Sequence, residues 1–252
     1  MNRRDLFRCV SFAAAKRLGA QGPALSQIED LVAADRILAS HEIFDAYGHV
    51  SARSEKNPQH YFMSRSLAPD LVTAGDILEF DLDSTVIGAS GAALFLERFI
   101  HGEVYKARPD VKAVVHCHTP SLIPFGATDV PLRPMFGLAG FIAEGVPVFE
   151  IRKTAGMTDL LIRDAARGRA LAQTLGAKPA ALMRGHGAVV TGASIPLVVG
   201  RCMYLDMNAR VQAQAMALSK NVTYLTPEEG KISVADDYRR AWELWRRQAM
   251  AK

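Results

Sequence analysis

Two histidines stand one residue apart in "AVVHCHTP", residues 113–120, directly after an apolar run. The stretch "VKAVVHCH" is short and rich in valine, which predicts a strand running into an exposed end. Side chains on a strand alternate faces, so His116 and His118 point the same way, about 7 Å apart, and Cys117 points the other way. Two imidazoles on one face can converge on one ion. The plainer alternative is two unrelated polar residues at a strand end, and further ligands elsewhere in the chain decide between them.

His186, in "RGHGAVV", is such a ligand candidate. Glycines on both sides let the backbone turn sharply and bring the imidazole close to an ion. On its own it reads as an incidental histidine in a tight hairpin; beside His116 and His118 it completes three protein ligands with an open position, the arrangement of a catalytic metal. Glu97, in "LERFIHGEVY", lies four residues before His101 on one face of an expected helix, with Tyr105 continuing the row. It is either an acid/base group facing the metal or a surface carboxylate paired with Arg98.

The elements that must position these residues follow from periodicity and punctuation. "LSQIEDLVAADRILASHEI" has helical spacing with Ser26 as a cap. "AYGHVSAR" turns into a strand, "HYFMSR" is a second strand, and "LAPDLVTAGDILEFDL" is a turn, a short helical start and another strand. "AALFLERFIHGEVYKAR" is a helix and "GVPVFEI" a strand. "TDLLIRDAARGRALAQTLG" is a long amphipathic helix stopped by Gly176. "AALMRGHGAVVTGA" is strand, turn, strand, and the long helix after it tolerates Pro196 in its first turn. Strands and helices interleave without repeats or linkers. This predicts one α/β or α+β domain over 1–252, with 1–25 as an N-terminal extension and 226–252 as a C-terminal helix.

Composition bounds the rest. The 252 residues are 49% hydrophobic and 22% charged, ordinary for a globular protein. The net charge of +4 is spread along the chain without a basic stripe, which argues against a nucleic-acid partner. Three separated cysteines, Cys9, Cys117 and Cys202, form no disulfide framework and point to a reducing, cytoplasmic compartment. The arginine pair in "NRRDLFR" loosely resembles a twin-arginine export signal, but its apolar patch is interrupted at Lys16, so a periplasmic address is the lesser expectation. No apolar run is long enough to span a membrane. His41 and His60 are expected at the surface, and Cys202, Met203, Trp242 and Trp245 in packing.

Taken in order, "GHVSAR", "FMSRS", "ERFIHGEVYKARPDVKAVVHCHTP", "RGHGAVV" and the following long helix resemble the class II aldolase/adducin family over roughly residues 28 to 225. The resemblance implies a three-layer α/β/α fold with a mainly antiparallel sheet, and a homotetramer with sites at subunit interfaces. It also implies a divalent metal, Zn2+ or alternatively Mn2+ or Co2+, on His116, His118 and His186, with Glu97 as acid/base. Gly48, Ser51, Ser64 and Ser66 then fall in loops that hold the substrate's anionic end.

The departures matter as much. Sugar-phosphate members usually carry asparagine at the position of His49, and small hydroxyl residues at those of Phe95 and Leu96. Phenylalanine and leucine cannot donate hydrogen bonds to phosphate. Arg65 suits a carboxylate instead, with a surface loop arginine as the plainer alternative. Phe136 stands where aldolases of the family often have a tyrosine that handles a proton. The expected function is a metal-dependent carbon–carbon lyase that acts on a non-phosphorylated hydroxy- or oxo-carboxylate, with His49 and Arg65 beside the substrate, by decarboxylation or retro-aldol cleavage. Two alternatives stand: a sugar-phosphate aldolase, epimerase or dehydratase of the same family, which the missing phosphate donors oppose, and a non-catalytic adducin-like module, which need not keep the three histidines and Glu97.

Overall fold

The computed structural model describes residues 23–88, 90–234 and 237–251; the arginine pair and Cys9 lie outside the described residues. Seven strands among these residues form one sheet: β1 (His49–Arg53), β2 (His60–Ser64), β3 (Ile77–Asp81), β4 (Ala113–Cys117), β5 (Val148–Phe149), β6 (Ala180–Met183) and β7 (Gly187–Gly192). Their order is β3-β2-β1-β4-β7-β6-β5. Every neighbouring pair is antiparallel except β5 with β6.

The helices are α1 (Pro23–Ser40), α2 (Arg98–Ala107), α3 (Ile123–Ala127), α4 (Arg152–Ala155), α5 (Ala165–Leu175), α6 (Ile195–Leu218), α7 (Pro227–Ser233) and α8 (Arg239–Met250). Side-chain caps set several starts: Asp164 accepts from the Arg167 N–H, Ser194 from Leu197, and Thr226 and Glu229 form a reciprocal box. Two apolar clusters flank the sheet. Leu31, Ile37, Val198 and Leu205 of α1 and α6 pack on Val50, Val115, Cys117 and Val190. Ile100, Val104 and Leu171 of α2 and α5 pack on Met63, Val114 and Val189. Val114 and Val115 thus belong to opposite clusters, as strand alternation requires. Each fully buried branched side chain contributes about 1.5–3 kcal/mol of hydrophobic stabilisation. The result is the α/β/α layering expected from the chain.

Several boundaries differ from the sequence reading. α1 begins at Pro23, so Ser26 lies inside it and is not its cap. α2 begins at Arg98, because Phe95 turns in to pack on His49 and Ala93 accepts the Ser66 N–H. α5 begins at Ala165: Thr158 Oγ1 accepts the Leu160 N–H, Leu160 has φ of 68°, and Asp164 is the cap. The segment 226–252 carries two helices, not one. His60 is half-buried, and its Nδ1 lies 2.8 Å from Glu79 Oε1. Trp242 is buried in the core with Trp245 packed beside it.

Candidate metal centre

Strand alternation builds the site. In β1, Val50 and Ala52 face the α1/α6 core, so His49, Ser51 and Arg53 face α2. His49 sits directly opposite His116 in the β1–β4 ladder, which puts both side chains on that same face. The row Glu97, His101, Tyr105, spaced one turn apart, runs along it from above. Glu97 itself is the residue before α2. It makes no side-chain cap, and its Oε1 accepts the Ile162 N–H at 2.9 Å.

His186 reaches the cluster from the β6–β7 turn. Gly185 takes a left-handed φ of 64°, and the His186 N–H closes the turn on the Met183 carbonyl at 3.0 Å. Gly187 lies so close to β4 that a Cβ there would sit 2.0 Å from the Cys117 carbonyl oxygen. Both glycines of the motif are therefore backbone requirements.

Glu97, His116, His118 and His186 each offer one ligand atom, and these atoms all lie within 4.8 Å of one another. Glu97 Oε2 is 3.4 Å from His116 Nε2 and 3.3 Å from His186 Nε2. His116 and His118 approach Nε2 to Nε2 at 3.0 Å. The Nδ1 of His116 faces the Ala188 carbonyl at 3.1 Å, and that of His118 faces Asp45 Oδ2 at 3.0 Å. Each Nδ1 therefore carries the proton, which leaves two bare Nε2 lone pairs facing each other. Such a pair cannot hydrogen-bond. Both ring nitrogens of His186 are buried and have no hydrogen-bond partner among the described residues. Converging lone pairs beside a carboxylate fit a divalent cation in the manner of a three-ligand catalytic site. Burial alone would raise the Glu97 carboxyl, but positive charge at the His116 and His186 Nε2 atoms, carried by their protons or by a cation in place of those protons, outweighs it and holds the group well below the usual carboxylate range. Burial, then its neighbour His116, pushes His101 down to about 3.

Asp45 is a residue the sequence did not single out. Its Oδ1 accepts the Tyr47 and Gly48 N–H groups at 2.8 and 3.0 Å while its Oδ2 holds His118. One carboxylate thus fixes both the His118 tautomer and the turn into β1. Only an aspartate at a turn advertises it in sequence, which is too common a signal. Asp45→Ala is expected to weaken divalent-metal affinity by about 10–100-fold, measured by competition with a chelating dye.

Residues 29–213 match the family model for the class II aldolase and adducin N-terminal domain. The chain belongs to the class II aldolase/adducin family. It is 34% identical over 252 residues to decarboxylase tropJ of Talaromyces stipitatus, covering 90% of this chain and 95% of that one. It is 28% identical over 203 residues to a 3,4-dihydroxyphthalate decarboxylase of a Terrabacter species, covering 72% and 78%. The structure of an L-fuculose 1-phosphate aldolase from Glaciozyma antarctica superposes with a TM-score of 0.73 at 22% identity, covering 89% and 88%, which shows the shared fold. With decarboxylase relatives on the family scaffold, this member is an enzyme, a lyase. The family and the Glu/His cluster together point to a divalent metal.

The remaining expected residues are placed unevenly. Gly48 leads into β1, where a Cβ would meet the Phe44 ring at 2.3 Å. His49 is buried with its ring centroid 5.2 Å from that of His116. Ser51 is not in a loop; it lies inside β1, fully buried, bonded to His101 and Tyr105. Ser64 is the buried last residue of β2 and Ser66 is exposed. Arg65 is paired through Nε with Asp76 at 2.7 Å. Phe136 is half-buried, its ring centroid 6.4 Å from that of Tyr204. No helix among the described residues is long and apolar enough to cross a membrane.

Proposed function

We propose that the protein is a zinc-dependent decarboxylase of hydroxylated aromatic carboxylates, with His116, His118 and His186 as ligands and Glu97 as the proton carrier. The observation that carries this reading is the convergence of three histidines and one buried carboxylate on one point. Manganese and cobalt accept the same donors. The decarboxylase relatives favour this chemistry over aldol cleavage, and so does the inner wall. There Phe95, 4.5 Å from the His49 ring between centroids, offers a phosphate no hydrogen bond.

A bound cation would supply Lewis-acid stabilisation of charge on a substrate oxygen. The chain's own groups do the rest. Glu97, ionised beside two imidazoles and steadied by the Ile162 N–H, takes the substrate's hydroxyl proton. As carbon dioxide leaves with its two oxygens, the bonding pair remains on the carbon. Glu97 returns the proton there, so the hydroxy-carboxylate gives the product phenolate and carbon dioxide with no other reactant, and the phenolate takes a proton from water on release. The family's tetrameric assembly, with the site completed between subunits, is part of the proposal, as are the single domain over 1–252 and a cytoplasmic setting.

A panel of hydroxybenzoates and dihydroxyphthalates beside sugar 1-phosphates, incubated with zinc-loaded protein, tests it. Carbon dioxide released from an aromatic acid, with no aldehyde from the phosphates, is the expected result. Aldehyde released from a sugar phosphate alone would replace this reading with an aldolase.

A further inference from the structure

Behind the metal centre runs a buried chain of hydrogen bonds that the proposed ligand set does not use. His49 Nδ1 lies 2.7 Å from His101 Nε2, His101 Nδ1 lies 2.6 Å from Ser51 Oγ, and Ser51 Oγ lies 2.8 Å from the Tyr105 hydroxyl. His101 and Ser51 are fully buried, and His49 and Tyr105 are 1% exposed. Two proton arrangements satisfy the distances, and they differ in which nitrogen of His49 carries hydrogen.

The Tyr105 end decides between them. Its phenol keeps its proton and must donate it. Among the described residues, Ser51 Oγ is the one acceptor within hydrogen-bond distance of that hydroxyl. The opposite direction would bury an O–H with no acceptor, at a cost of about 1–3 kcal/mol. Tyr105 therefore donates to Ser51, Ser51 to His101 Nδ1, and His101 Nε2–H to His49 Nδ1. His49 is left with its proton on Nε2, on the sheet face it shares with His116.

We infer that Tyr105, Ser51 and His101 are positioning residues that hold His49 as an Nε2–H donor to the substrate oxygen on which charge collects when the carboxylate leaves. The donor role rests on the decarboxylase reading; the tautomer does not. A donor fixed before the reaction stabilises developing charge without reorganising. It also explains a serine, a histidine and a tyrosine in places where a core would ordinarily be apolar.

Ring-nitrogen NMR of the zinc-loaded, 15N-histidine-labelled protein reads the tautomer directly, and kinetics read the role. In the parent, His49 is expected to be protonated on Nε2. Ser51→Ala cuts the chain, and a mixture of tautomers is expected. Its kcat on the aromatic acid falls about tenfold with KM within about twofold and zinc content unchanged. His49→Leu loses about 100-fold or more in kcat, and His49→Gln, which restores an N–H donor, recovers part of it. Protonation of His49 on Nδ1 in the parent overturns the inference, as does a Ser51→Ala variant that keeps both the tautomer and kcat. Should Ser51→Ala fail to fold, the parent spectrum with the Leu and Gln pair decides. A parent with Nε2–H that releases no carbon dioxide from any aromatic acid defeats the decarboxylase reading and the donor role, and leaves the tautomer standing.

Discussion

Glu97→Gln is expected to lower kcat by about 10²–10⁴-fold while the protein still binds zinc. Glutamine has the same length and shape, and its amide oxygen can still accept the Ile162 N–H that holds Oε1 at 2.9 Å. The substitution removes one capacity, that of taking up and returning a proton. The three imidazoles remain, and they suffice for a catalytic zinc site. Single-turnover rates of carbon dioxide release, beside zinc content, separate the two functions. A variant with parental kcat would remove Glu97 from the chemistry, and one that loses zinc in step with kcat would make it a ligand first.

Gly187→Ala is expected to destabilise the fold by about 3 kcal/mol and to weaken zinc binding at the same time. The added methyl would sit 2.0 Å from the Cys117 carbonyl oxygen and 3.1 Å from the His118 Cα. Both are backbone atoms of the chain that carries two ligands, so no side chain can yield. Either β7 parts from β4 over a ladder of five registered pairs, or the His118 backbone shifts away from His186. Gly185→Ala is the control. Its new methyl meets nothing nearer than Leu160 Cδ1 at 3.8 Å, so only the left-handed φ of 64° opposes it, at about 1–2 kcal/mol. Urea melts and zinc titrations of the two variants should rank Gly187→Ala as the more severe in both. Equal effects would mean that the turn conformation, not the close strand approach, aims His186.

What the sequence showed and what it concealed divide along physical lines. His116 and His118 were legible because a valine-rich strand fixes their common face, and His186 because glycines on both sides mark a backbone constraint. Cys117 was legible as core by the same alternation. The layer order followed from the family resemblance, whereas the alternation of helices and strands alone left an α/β or an α+β domain open. The starts of α2 and α5 were not legible, although that of α6, with Pro196 in its first turn, was. "AALFL" and "TDLLI" have good helical spacing, yet Phe95 is drawn to His49 and the Ile162 amide to Glu97, and tertiary contacts override local propensity. Ser51 was read as a loop hydroxyl for substrate, because nothing local reveals that β1 faces the His101–Tyr105 row. Arg65 was read as either a substrate arginine or a surface loop arginine, and nothing local shows that its Nε is held by Asp76, eleven residues on. Asp45 escaped notice because a carboxylate that acts through the ring of His118 follows no spacing rule.

The measurement that tests the central claim most directly is elemental analysis of the purified protein beside a His116→Ala, His118→Ala double variant. About one equivalent of zinc, manganese or cobalt per chain in the parent is expected, absent from the variant, together with loss of carbon dioxide release from an aromatic hydroxy acid. A parent that takes up no metal after exposure to all three ions, or a variant that keeps both metal and activity, would contradict the account.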